Sequence, residues 1–252
     1  MRGLHRLSPY VVDKRILIAE AGIIMQHTPR GKQSMKLLHN CLVFVALAAA
    51  GGNAAAQTRN INFELLLAAR SGSEASVRAL IDQGANPNSR NRLGDTPLNI
   101  AAHNGQVGLA TLLVERGADV NLANLARVSP LMSAAFGGHT EILALLIARK
   151  ADLHPVDRVQ KTAMIYAAGN GRTECVQALL DAGVEVNARY ANGATALMWA
   201  AAYGHADTVK LLLARGAAHA PRDERDKSAL AIAIEQGHAP VAEVLRAAGA
   251  QN

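Results

Sequence analysis

The chain has 252 residues, half of them apolar, with 50 alanines, 21 glycines, 8 prolines, eight aromatic residues and two cysteines. That apolar content excludes a disordered chain, the modest Gly and Pro content excludes a collagen-like or linker-like polymer, and two cysteines cannot supply a disulfide scaffold. The net charge of +6 divides unevenly, because residues 1–56 hold seven Lys/Arg against two acids while residues 57–252 hold 19 against 18. A near-neutral body with few aromatic rings offers neither a clustered phosphate-binding footprint nor a base-stacking platform, so no nucleic-acid partner is expected.

Residues 1–34 form a long leader with Arg2, Arg6, Lys14, Arg15, Arg30 and Lys32 scattered through it, and are taken as lying upstream of a true start at Met35. Residues 35–56 have the form of a secretory signal peptide: Met35-Lys36, a ten-residue apolar run from Cys41 to Ala50, and Ala54-x-Ala56 before a cut at Gln57. The run suits a signal and falls short of the roughly 20 apolar residues of a membrane span, so no stable membrane insertion is expected after cleavage. An uncleaved anchor and an Arg-containing organelle transit peptide are the competing readings. Cys41 precedes the apolar run, which does not support lipoprotein modification. Cleavage leaves Cys175 alone, unable to form an internal disulfide, and packing suits it better than reactivity.

From residue 58 onward the chain repeats with a period of 33. Gly72, Gly105, Gly138, Gly171, Gly204 and Gly237 share one phase, as do the pairs Ala68-Ala69, Ala101-Ala102, Ala134-Ala135, Ala167-Ala168 and Ala200-Ala201, with Ala233-Ile234 closing the series. Six units follow, over about 58–91, 92–124, 125–157, 158–190, 191–223 and 224–250, the first of them truncated. Thr96, Ser129, Thr162, Thr195 and Ser228 each stand where a hydroxyl caps the first helix of a unit, and Pro97 and Pro130 follow where a missing N–H costs nothing. The first glycine series turns the chain into a second helix, whose apolar residues, such as Ile142, Leu143, Leu145, Leu146 and Ile147, are dense enough to be nearly surrounded. A second series, Gly84, Gly117, Gly183, Gly216 and Gly249, suits the left-handed position after that helix. Lys150 interrupts it and marks a weak point costing about 1 kcal/mol. The alanine pairs let successive units approach closely.

These residues resemble the ankyrin repeat: Gly94-Asp95-Thr96-Pro97-Leu98, Ala101-Ala102, Gly105, Leu112-Leu113 and Gly117-Ala118-Asp119-Val120-Asn121 match its pattern nearly throughout. The form Thr195-Ala196-Leu197-Met198-Trp199-Ala200-Ala201 with Gly204-His205 is similar to repeats of bacterial proteins. The resemblance implies an all-α solenoid of helix-turn-helix units with short hairpin tips, six of them stacked. Two departures stand out. The family's His after Thr-Pro-Leu is replaced by Asn99, Met132, Ile165, Met198 and Ala231, which puts its inter-unit hydrogen bond in doubt. The hairpin glycine survives only as Gly94 and Gly193, with Arg127, Gln160 and Asp226 elsewhere, which leaves those turns free to differ.

No hydrolase, zinc-protease, phosphate-loop, dinucleotide or Cys-x-x-Cys signature occurs, and the repeats use nearly every residue structurally, so no catalysis and no cofactor are expected. His139, His205 and His238 share one turn position. Units stack about 8–10 Å apart, too far for neighbouring copies to share a zinc with ligands at about 2 Å, so no metal is expected and turn hydrogen bonding is the role assigned to them.

A repeat stack binds along its concave face. The family's contact positions fall here on His103, Asn104, Phe136, Gly137, Gly169, Asn170, Ala202, Tyr203, Glu235 and Gln236, with hairpin tips adding Arg92, Leu93, Asp95, Leu125, Ala126, Val128, Arg158, Val159, Lys161, Asn192, Glu224, Arg225 and Lys227. Phe136 and Tyr203 lead the candidates because exposed aromatics dominate interface energies; the alternative is that each leans on a neighbouring alanine pair. Trp199, Tyr166 and Met198 occupy inner-helix positions that are usually core. Arg158, Lys161, Arg225 and Lys227 either select an acidic partner or are dispersed solvating charge. The resulting expectation is a monomeric, non-catalytic protein–protein interaction scaffold of the bacterial periplasm with an unidentified partner protein. The alternatives are an accessory to a periplasmic redox enzyme, a small-molecule binder, or a membrane-anchored adaptor.

Overall fold

The computed structural model describes residues 60–251, all within the compact unit Gln57–Asn252. The leader, the apolar run Cys41 to Ala50 and the cut site before Gln57 lie outside the described residues. Helix α1 covers 60–71, followed by α2 (Glu74–Asp82), α3 (Pro97–Asn104), α4 (Val107–Glu115), α5 (Pro130–Gly137) and α6 (Thr140–Ala148). Then come α7 (Ala163–Gly169), α8 (Thr173–Asp181), α9 (Ala196–Ala202), α10 (Ala206–Ala214), α11 (Ala229–Glu235) and α12 (Ala239–Ala247), with a short 3-10 turn at Ala191–Gly193. The arrangement is all-helical, six helix pairs in line. Among the described residues the sole extended pairing is an isolated bridge between Arg222 and Ser228, and no helix is long and apolar enough to cross a membrane.

Each inner helix from α3 onward starts where its cap dictates. Thr96, Ser129, Thr162, Thr195 and Ser228 all accept, through the side-chain oxygen, from the backbone N–H three residues on. That satisfies one of the donors every helix start leaves open. The turn after the inner helix needs glycine twice over, and Gly171 shows why. Its φ is +64°, and an added Cβ would lie 2.5 Å from Nδ1 of His205 in the next unit. His205 is there because its Nε2 sits 3.0 Å from the Gly169 carbonyl, at the C-terminal end of the preceding unit's inner helix. His139 and His238 reach back in the same way to the carbonyls of His103 and Ala202, and Arg172 donates to that of Phe136. These side chains sew unit to unit.

The outer helices also end as their sequence requires. Lys150 adopts φ +61°, on the same positive-φ side as its glycine counterparts, a conformation that costs a residue with a side chain about 1 kcal/mol. At the hairpin-glycine position the copies without glycine still adopt a positive φ: Arg127, Gln160 and Asp226 take 63°, 62° and 59°, beside 80° and 68° for Gly94 and Gly193. The inter-unit bond of the missing family histidine survives once, where Asn99 Nδ2 donates to the Val128 carbonyl at 3.2 Å. Met132, Ile165 and Met198 at the equivalent positions are simply buried.

Inner helices α3, α5, α7, α9 and α11 pack on one another in order, and outer helices α2 to α12 form a second row. The inner contact is made by alanine: Ala101, Ala102, Ala134, Ala135, Ala167, Ala168, Ala200 and Ala201 are all completely shut from solvent. Leu109, Leu113, Ile142, Leu143, Leu146, Leu179, Leu212 and Leu245 fill the space between the rows, whereas Leu145 and Ile147 are only half-buried. Cys175 belongs to this core. Burial pushes its thiol up, and Thr140 Oγ1 lies 3.5 Å from Sγ, so it packs as a small apolar group.

Candidate functional site

The hairpin tips are held by a side chain that recurs every 33 residues. Oδ1 of Asn91, Asn124, Asp157 and Asp223 accepts from the backbone N–H groups two and four residues ahead, at 2.8–3.0 Å. These residues form Asx turns that fix the tip before any partner arrives. Successive tips are joined by backbone bonds, Leu125 N–H to the Leu93 carbonyl, Arg158 N–H to that of Ala126 and Glu224 N–H to that of Asn192, each 3.0 Å. Among the described residues the series has one gap, between the tips of the fourth and fifth units. There Tyr190 stands in place of the Asx residue, the tip closes through the 3-10 turn, and Asn192 takes φ +58°.

Between tips and inner helices runs a groove with an aromatic floor. The Phe136 ring lies 6.3 Å from the imidazole of His103 and 5.8 Å, edge-on, from Tyr166; Tyr203 stacks on Trp199 at 6.0 Å. Lys161 links the two groups, with Nζ 5.5 Å from the centre of the Tyr166 ring and 4.9 Å from that of Trp199, so both rings attract its charge. The Tyr166 hydroxyl donates to Asp157 Oδ2, and burial first, then the neighbouring carboxylate, pushes it well above the ordinary tyrosine range. Gly169 lies in this row with the Trp199 and Tyr203 rings beside it, 3.5–3.8 Å from where a Cβ would stand. Of the three inner-helix residues assigned to the core, only Met198 is buried. Tyr166 and Trp199 pack against the core but are only partly buried, and Trp199 lines a cavity of about 580 Å³ with Tyr203, Glu224 and Glu235.

Phe136 and Tyr203 are 43 % and 54 % exposed, resting on aromatic rings rather than on alanine pairs alone. His103, Asn104, Arg92 and Arg158 are exposed as well. Other candidates are already engaged. Asn170 donates to the Tyr166 carbonyl at 2.7 Å. Arg225 donates through Nε and Nη2 to Asp223 Oδ2 at 2.9 and 2.7 Å, and Lys227 is paired with Glu235. Burial raises the Asp223 carboxyl, but hydrogen bonds from Lys227 and Arg225 outweigh it and hold the group below its usual range. Three of the four cations set aside for an acidic partner already have a nearer attraction, Arg225 and Lys227 to a carboxylate and Lys161 to two aromatic rings, whereas Arg158 has neither among the described residues. Among those residues no group of three or more His, Cys, Asp or Glu side chains converges as a metal site would require.

The model of the family described as ankyrin repeats (3 copies) matches residues 35–124, 122–190 and 182–252. The chain therefore belongs to the ankyrin repeat family, whose repeats generally mediate protein–protein interaction and are generally non-catalytic. No curated protein matches it.

Proposed function

We propose that this chain is a non-catalytic scaffold that holds a partner protein in the groove between its hairpin tips and inner helices, acting in the bacterial periplasm. The observation that carries the binding proposal is the aromatic row His103, Phe136, Tyr166, Trp199 and Tyr203, left partly open to solvent on a surface whose backbone is fixed in advance. Rigid, half-exposed rings bury large area at little entropic cost, which is why such residues anchor interfaces. A Phe136→Ala, Tyr203→Ala double variant is expected to keep its unfolding midpoint but lose about 2 kcal/mol or more of binding energy, seen as lost recovery of partners that wild type captures after in-cell cross-linking. Equal recovery by the folded variant would turn attention to another face.

The export proposal rests on residues 35–56, with their single lysine, ten-residue apolar run and Ala54-x-Ala56, and it places the functional start at Met35. Fractionation followed by mass spectrometry is expected to find a soluble product beginning at Gln57. A membrane-bound product that retains residues 35–56 would make the protein an anchored adaptor instead.

A further inference from the structure

The two ends of the groove differ in what their charges are doing. At the end formed by the fifth and sixth units, Arg225 and Lys227 are satisfied by Asp223 and Glu235. At the other end, a cavity of about 650 Å³ lies between α1, the first hairpin tip and α3, lined by Phe63, Leu67 and Leu93 together with Arg70, Arg90 and Arg92. The three apolar side chains are 59 %, 49 % and 66 % exposed, in one place. All three arginines are exposed, none has an ion pair or side-chain hydrogen bond among the described residues, and no Asp or Glu lines the cavity. An apolar patch ringed by unspent charge of one sign is complementary to a ligand that carries apolar groups beside carboxylates.

We infer that this end of the groove binds an acidic, leucine- or phenylalanine-bearing segment of another protein, its apolar side chains seated on Phe63, Leu67 and Leu93 and its carboxylates on Arg70, Arg90 and Arg92. The inference rests on the scaffold function proposed above and gives its partner a chemistry. The chain's own unused segment fits poorly: residues 35–59 contain no Asp or Glu and carry Lys36 and Arg59. A second copy fits no better, since placing this end against itself would bring six guanidinium groups together. Guanidinium forks match carboxylates in geometry as well as charge, which suits arginine rather than lysine at all three positions.

The test is a display library of random twelve-residue peptides selected on the full chain, with the enriched peptides then synthesised and measured by fluorescence anisotropy. Enriched sequences are expected to place Asp or Glu beside Leu, Ile or Phe. Their affinity should fall about tenfold in an Arg70→Gln, Arg90→Gln, Arg92→Gln variant of unchanged unfolding midpoint, and again in Leu93→Ser, the sum of three modest exposed ion pairs being of that order. No enrichment, enrichment without carboxylates, or equal affinity for the arginine variant overturns the inference. Peptides that need Phe136 and Tyr203 but not the arginines overturn it while leaving the scaffold function standing. A benzophenone cross-linker in place of Leu93 gives a second readout: capture of the selected peptide supports the assignment, and capture of residues 35–59 or of a second copy overturns it.

Discussion

Ala168→Leu is expected to lower the unfolding free energy by about 2–3 kcal/mol and to split a single denaturant transition into two. Ala168 lies in α7 with no exposed surface, and α7 packs against both α5 and α9. Three extra carbons there have no void to enter, so they must push one neighbouring inner helix away. In a stack where each unit touches only its neighbours, cooperativity travels through those contacts, and a wedge in the fourth unit separates units one to three from five and six. The weaker side is already marked by the gap in the tip-to-tip bonds between the fourth and fifth units. Ala144→Leu is the control, because Ala144 is exposed on α6 and the same added carbons meet only water there. Unfolding followed by circular dichroism and by Trp199 fluorescence checks both variants. A single unshifted transition for Ala168→Leu would mean that the units are not held together by close approach at alanine.

The period of 33, the hydroxyl caps and the alanine pairs are legible in the amino-acid string because each is a local requirement repeated in register: a helix start needs an acceptor, and a close approach needs a small side chain. The hairpin turns were less legible. Arg127, Gln160 and Asp226 look unlike Gly94, yet all four take a positive φ within a tip that an Asx oxygen three residues earlier holds. The signal was present as Asn91, Asn124, Asp157 and Asp223, spaced by multiples of 33, but it lies outside the stretch that glycine draws the eye to. The groove was legible as a location and not as a set of contacts. Whether Arg225 faces a partner or Asp223 depends on Asp223 being buried and anchored by two backbone N–H groups, and period and composition carry no information on that. Tyr166 and Trp199 were hidden for a related reason. Their equivalents Ile100, Ser133 and Ile232 are unremarkable inner-helix residues, so nothing in the repeat pattern marks this position as one that faces the groove.

Asp157→Ala is expected to cost about 2–4 kcal/mol, since it removes the acceptor for three donors at once: the N–H groups of Val159 and Lys161 and the hydroxyl of Tyr166. Water can reach part of the tip and offset the loss of the backbone bonds, but the carboxylate itself is almost wholly buried, which keeps the cost in this range. Asp157→Asn should cost less than about 1 kcal/mol. The same fold already contains that substitution at Asn91 and Asn124, whose Oδ1 atoms make the two backbone bonds, and an amide nitrogen can meet the Tyr166 oxygen. A spectrophotometric titration supplies a readout beyond stability. In Asp157→Ala the hydroxyl of Tyr166 loses both the hydrogen bond and the negative charge that raise it, leaving burial as the remaining cause, so its ionisation should move to lower pH. Lys161 hangs over the Tyr166 ring, so loosening that ring should also weaken whatever partner depends on Phe136 and Trp199. If alanine and asparagine destabilise equally, the tip is held by charge and not by Asx geometry, and the pre-formed groove loses its structural basis.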